Sequence, residues 1–259
     1  MAYKNQTGLV IILLALLNSS CSPYSRLYND FTKGQSSIQY IHTSGKEGKK
    51  NEKGIFIDKP FLSDRKFNSS ANVHKINSSV VPLLVFNSWK YQYECAIGPP
   101  MIKENLPRFI QTSFLEESER SGTFRIDTLS SPASLSLEID VDSLAAKGPY
   151  DNTGYFIYLF FGYSYQVHEH AGPGVAYSRF HYRVRKGDAV VLEDVVSHQA
   201  SFQPLKMART TFKKFHDMYR ANLVESLGDT FKRNIEEIVS HLNILLEKDP
   251  DSKSGGNNQ

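Results

Sequence analysis

The chain has 259 residues, 40% of them apolar, and carries 30 basic against 27 acidic side chains for a net charge of +3. That length and composition suit one large domain or two small ones with a hydrophobic core, and nothing in the charge resembles a nucleic-acid patch with interleaved aromatics. Two cysteines, Cys21 and Cys95, are too few for a disulfide framework.

In chain order, Met1-Ala2-Tyr3-Lys4 brings one positive charge, Gly8 to Leu17 is an unbroken apolar run, and Asn18-Ser19-Ser20 leads into Cys21. A basic start, a short apolar stretch and small residues before a boundary are the parts of a secretory signal. The run makes a helix of only ~15 Å, about half the hydrocarbon core, too short for a permanent span. With Ser19 and Ser20 before Cys21, the segment resembles the lipobox of bacterial lipoproteins, although Asn18 stands where that pattern has leucine. The resemblance implies removal of residues 1–20 and acylation of the Cys21 thiol. Two or three acyl chains at ~0.8 kcal/mol per buried methylene hold a protein at a bilayer where one does not. It also favours the outer membrane, because Ser22-Pro23 lacks an acidic residue beside the cysteine. The alternative is an ordinary cleaved signal, or an uncleaved anchor, with Cys21 incidental.

Residues 21–78 read as a flexible tether, rich in Ser, Asn, Lys and Gly, with Gly45 to Gly54 nearly all charge and glycine. Such a stretch buries too little apolar surface to offset its ordering entropy. It also holds the excess of positive charge, which could lie against anionic headgroups or simply be solvated. A soft linker of this length spans ~40 Å. The competing reading docks Ile55-Phe56-Ile57 and Phe61-Leu62 on the domain and shortens the arm.

The folded body is expected at 79–248. Val80 to Phe86 has strand length, with Pro82 suited to an edge, and Trp89 to Pro100 reads as a loop. A helix should start at Asn105 as N-cap, with Pro107 in its first turn and Ser121-Gly122 at its end. Thr123 to Leu129 and Leu135 to Val141 alternate as strands. Asp142 to Thr153 reads as a loop, and Gly154 to Val167 as one long aromatic strand. Gly174 to Arg185 and Asp188 to Phe202 flank a Lys186-Gly187 hairpin turn. Two helices, Leu205 to Tyr219 and Ala221 to Leu246, should follow. Leu223, Leu227, Phe231, Ile235, Ile238, Val239, Leu242 and Leu245 form an apolar stripe, and Gly228 either weakens the second helix or bends it. A polar tail closes the chain at 249–259.

Strand, helix, several antiparallel strands and a terminal helix make an α+β fold, a mostly antiparallel sheet with helices on one face behind a disordered tether. With the lipobox, a helix running into Gly122-Thr123-Phe124, and Gly172-Pro173-Gly174-Val175-Ala176 later, the pattern resembles bacterial envelope lipoproteins. The likeness is to ABC-type transport auxiliary lipoproteins and to the N-terminal domain of the Tol-Pal β-propeller protein. It implies a non-enzymatic accessory or binding component of an envelope transport or assembly system, whose partners are the lipid bilayer and an envelope complex. A surface-exposed structural or host-contact lipoprotein is the alternative.

Chemistry-bearing motifs are few. His168-Glu169-His170 on a strand would put two imidazoles on one face ~6.5 Å apart. A zinc site needs further ligands, such as His181 or His198, and without them the motif is an exposed strand end rather than a metal hydrolase. Asp140, Asp142, Asp151 and Asn152 have no calcium-loop register. Gly-x-Ser-x-Gly and phosphate-cradling loops are absent from the sequence, so no catalytic residue, metal or cofactor is expected. Cys95 reads as a buried small hydrophobe. The rings of Tyr155 to Tyr165 are either a core strand under helices or a groove for lipid or a partner strand.

Overall fold

The computed structural model describes residues 23–41, 54–57, 61–62, 72–82, 86–127, 135–159, 161–208 and 210–248. The signal-like segment, Cys21 and the tail at 249–259 lie outside them. The elements are α1 (Pro23–Lys33), β1 (Gly54–Ile57), β2 (Phe61–Leu62), β3 (Asn72–Pro82), β4 (Phe86–Ala96), α2 (Leu106–Ser121) and β5 (Arg125–Asp127). There follow β6 (Leu135–Leu159), β7 (Gly162–Ala171), β8 (Gly174–Lys186), β9 (Ala189–Phe202), β10 (Leu205–Lys206) and α3 (Phe212–Lys248). The α+β class expected from the sequence is what forms, a mostly antiparallel sheet with α3 packed across it.

β6 is the spine, a strand of 25 residues. Leu137, Ile139 and Val141 point inward, and a bulge between Val141 and Ser143 shifts the alternation by one. Leu144, Ala146 and Tyr150 then continue the same buried face. A single extra residue thus reverses which positions face the core. β8 pairs with the first half of β6 and β7 with the second, both antiparallel and along one edge. Along the other edge lie the parallel β1 and β2, then the antiparallel β4. Outside these run β5 on β1, β3 on β4, β9 on β8 and β10 on β7.

α2 starts where expected: the Asn105 side chain accepts a hydrogen bond from the Arg108 N–H at 3.1 Å, and Gly122 caps the far end. α3 lays Leu223, Leu227, Phe231, Ile235, Ile238, Val239 and Leu242 on the inner face, all fully buried.

Several expectations are corrected. The tether is part of the fold wherever it is described. Leu27 and Phe31 of α1 and Ile55 of β1 are core residues, and the Ser36 N–H donates to the Met101 carbonyl at 2.8 Å. The body therefore begins well before residue 79, and the reach of a free arm is lost with it. Tertiary contact outweighs local polarity here, because Leu27, Phe31, Ile38, Ile55 and Val73 of the segment find the core.

The expected loop at 89–100 is mostly β4. Trp89, Tyr91, Tyr93 and Cys95 alternate with Lys90, Gln92 and Glu94, a period-2 pattern masked by how polar the even positions are. The expected loop at 142–153 is the middle of β6. Pro149 falls where the partner changes from β8 to β7, and its carbonyl accepts from the Gly172 N–H at 2.8 Å and the Tyr219 hydroxyl at 3.0 Å. The stretch 154–167 is not one strand but two arms of the β6–β7 hairpin. Residues 205–219 and 221–246 are not two helices: Leu205–Lys206 is a strand, and α3 is continuous through Gly228. That glycine is a close-approach point, since a Cβ there would come 2.6 Å from the Gln39 carbonyl oxygen.

Candidate functional site

The inner face of the sheet extends past the helices that cover it. Beyond the row of Tyr93 and Tyr150, both buried, the same side of the strands carries Tyr91 and Trp89 on β4, Phe156 and Tyr158 on β6, and Tyr163 and Tyr165 on β7. Register places Phe156 opposite Tyr165, Tyr158 opposite Tyr163, and Gly154 opposite both Trp89 and Val167. The rings touch: Trp89 lies 6.0 Å from Tyr165, Phe156 stacks on Tyr163 at 5.9 Å, and Tyr91 on Tyr93 at 6.3 Å. Toward the hairpin end they become open to solvent, with Tyr158 55% and Tyr163 74% exposed and Phe161 fully so. The opposite side of the same strands is polar around Lys90, Gln92, Asp151, Gln166 and His168, and carries Phe86, Tyr155, Ile157 and Leu159 toward the hairpin end. Rings in contact across three neighbouring strands, open at the hairpin end, distinguish this face from scattered surface rings.

A line of polar contacts ties this face to α1. The Trp89 indole N–H donates to Asn152 Oδ1 at 2.8 Å, and Asn152 Nδ2 donates to Glu169 Oε1 at 2.9 Å. Glu169 Oε2 lies 3.3 Å from His216 Nε2, which is also 2.7 Å from the Tyr150 hydroxyl. His216 Nδ1 faces Asp30 Oδ2 at 2.9 Å. Asn152, Glu169 and His216 are each buried. Burial, reinforced by the Glu169 carboxylate, pushes the Tyr150 phenol far above its ordinary range, so it stays neutral. These groups lie against one another in a dry setting, where an unpaired polar group is costly, and Glu169 Oε2 has its contact with His216 but no hydrogen bond.

Arg220 completes the attachment of α1. Its Nη1 donates to the Asp30 carbonyl at 2.7 Å, its Nε to Ser36 Oγ at 3.2 Å and its Nη2 to Asp217 Oδ1 at 2.7 Å. The guanidinium thus occupies a carbonyl at the helix C-terminus, where a cation is favoured.

Gly154 holds the indole in place, because a Cβ there would fall within the Trp89 ring and against the Gln166 carbonyl oxygen. Gly154→Val is expected to dislodge Trp89 and cost ~1–3 kcal/mol. A red-shifted tryptophan emission with a lower urea midpoint would register it, and an unchanged spectrum would contradict this packing.

The sequence-derived candidates are dispersed. His168 and His170 sit on the outer face opposite Thr153 and Asp151, with His168 exposed. His181 pairs with Glu193 at 2.8 Å and His198 with Glu237 at 2.7 Å, on other strands. Among the described residues no three His, Cys, Asp or Glu side chains converge as a metal site. Asp140 and Asp142 lie near Arg183 and Arg179, while Asp151 accepts from Gln92 on the outer face at 3.2 Å. Cys95 is fully buried, with its thiol pushed well up by that burial, as expected of a structural cysteine. Cys21 lies outside the described residues.

Sequence reasoning missed Trp89, His216, Asp30 and Arg220, and weighed Asn152 and Glu169 only as parts of a calcium set and a histidine motif. The available signal was parity: Asn152 and Glu169 occupy inward positions of their strands, and His216 and Arg220 fall within the apolar stripe of α3. Polar residues at core positions mark a buried network.

No protein-family model matches the chain, and no curated protein matches it. Among solved structures it is similar to a Xanthomonas campestris protein of the DUF330 family, with 12% identity over 83% of this chain and 98% of that one and a TM-score of 0.43. It is also similar to a homolog of the neuraminyllactose-binding hemagglutinin from Helicobacter pylori, with 9% identity over 82% and 94% and a TM-score of 0.30. At these scores the likenesses assign neither a family nor an activity. Among the described residues no helix is long and apolar enough to cross a membrane.

Proposed function

We propose that this protein is a bacterial envelope lipoprotein, held at the membrane through an acylated Cys21, that acts by binding rather than by catalysis. It would serve as an accessory component of an envelope transport or assembly system. The observation that carries the binding role is the aromatic face, which opens to solvent at the hairpin end and is tied to the core by the Trp89–Asn152–Glu169–His216 line on the same side of the sheet. Support for a non-enzymatic role comes from where the titratable groups lie: Glu169, His216 and Tyr150 are buried and engaged with one another. Support for anchoring comes from the lipobox-like segment and from α1, which starts two residues after Cys21 and is clamped by Arg220. Acyl chains at Cys21 would therefore hold the body close to a bilayer, not at the end of a long arm.

Cys21→Ala is expected to abolish incorporation of labelled fatty acid and to leave an unprocessed or soluble precursor. Equal labelling of both proteins would remove the anchoring claim. A surface-exposed structural or host-contact role is the second reading, favoured by the exposed rings. Protease treatment of intact cells separates the two, since cleavage of the body there would place it on the outside.

A further inference from the structure

The chain carrying Cys21 enters the fold at the base of the aromatic face. The Tyr24 ring is 5.9 Å from that of Tyr93, the innermost ring of the β4 row. α1 and the start of α3 run side by side in the same direction: Arg26 lies over the Phe212 ring, His216 meets Asp30, and Phe31 lies 5.7 Å from Tyr219. Both helices thus begin at the end of the core from which the face extends. The three residues from Cys21 to Tyr24 reach at most ~10 Å, while the face runs on for ~20 Å of strand from Tyr93 to Asn87. An acyl chain on Cys21 would therefore start within that reach of the Tyr24–Tyr93 contact.

Basic side chains stand at the inner end of that surface. Lys75 lies over the Tyr91 ring at 5.5 Å, Arg26 over the Phe212 ring at 5.0 Å, and Lys214 is exposed at the start of α3, while Asp30 and Asp217 there are held by His216 and Arg220. Rings that are apolar in body and polar at the tip, edged by basic side chains, match the boundary between headgroups and acyl chains. Each such cation contributes about 1 kcal/mol near an anionic leaflet.

We propose that the aromatic face lies on the bilayer that receives the Cys21 acyl chains. The rings of Tyr158, Phe161 and Tyr163 enter the interfacial layer, and Arg26, Lys75 and Lys214 meet anionic headgroups. This rests on the anchoring reading above. The acyl chains then act as the first of two attachments, and the sheet end as the second, which fixes the orientation of the body on the membrane.

Trp89 is the only tryptophan in the chain and lies within this face, so it reports directly. The acylated full-length protein is reconstituted into phosphatidylethanolamine–phosphatidylglycerol vesicles with or without phospholipid brominated on its acyl chains. Vesicle flotation and tryptophan emission are then read on the same sample. Flotation together with an emission drop of about two-fold in the brominated vesicles is the expected result for an interfacial indole. Flotation without quenching overturns the face proposal and leaves the anchor standing, whereas failure to float overturns both. The double variant Tyr158→Ser with Tyr163→Ser changes only exposed rings and should retain flotation while losing at least half of the quenching. Undiminished quenching in it would overturn the assignment to this face. Crosslinked dimers with an unquenched Trp89 would assign the face to a second copy of the chain instead.

Discussion

Arg220→Ala is expected to lower the folding free energy by ~3 kcal/mol, since it strips a buried cation from its partners and leaves them uncompensated. The loss is local as well as global. Arg220 holds the Asp30 carbonyl, the Ser36 hydroxyl and Asp217, so α1 and the chain after it lose their attachment to α3 together. Gly34 packs directly against the guanidinium and leaves no other side chain to fill the space. Urea unfolding measures the first effect. Limited trypsinolysis measures the second, with cuts at Arg26 and Lys33 in the variant and not in the wild type. Arg220→Lys should recover part of the stability, because it keeps the charge but not the planar fork of donors. Equal protection of α1 in the alanine variant would refute this docking. In an acylated protein the same variant should free the body from its fixed position beside the anchor, so Trp89 quenching by brominated lipid should fall while flotation persists.

Phe231→Ala is expected to cost ~3–5 kcal/mol, the range for removing a fully buried ring from a core that only partly collapses. Phe231 is wholly buried on α3, 5.6 Å from Phe180 on β8 and 6.3 Å from Phe109 on α2. It therefore joins the sheet to both helices on that side, and the cavity would open where three layers meet. Its neighbour Asn234 donates to Ser178 Oγ at 2.7 Å in the same layer, which limits how far α3 can shift to fill the space. Thermal unfolding should show a markedly lower midpoint. Ile76→Ala, at a position 60% exposed on β3, should change stability by no more than ~0.5 kcal/mol. Equal effects of the two would mean that α3 is not the keystone of the core.

The two variants separate two kinds of stabilisation. Phe231 was legible in the sequence, because a stripe of apolar residues at helical spacing states both the helix and its buried side. Arg220 was not. A cation within a helix is ordinarily solvated, and only the meeting of α1 with α3 turns it into a cap for another element. The same division runs through the aromatic run at 155–165. Its rings were plain in the sequence, but whether they lay under helices or in the open depended on where α1 and α3 start.

Local signals determined what local chemistry can determine. Asn105 and Pro107 set the start of α2, the Leu137-Ile139-Val141 alternation set the inner face of β6, the turn after Lys186 set the β8–β9 hairpin, and the stripe from Leu223 to Leu242 set the buried side of α3. Long-range contact decided the rest. Residues 23–41 and 54–57 carry too few apolar side chains to order themselves, and they become part of the body only because Leu27, Phe31 and Ile55 find a core built by distant elements. The continuity of β6 through Gly148-Pro149 depends on neighbours on both edges that no local window contains. The line from Trp89 through Asn152, Glu169 and His216 to Asp30 joins five elements. Polar residues at such positions acquire meaning only when the fold removes water from around them.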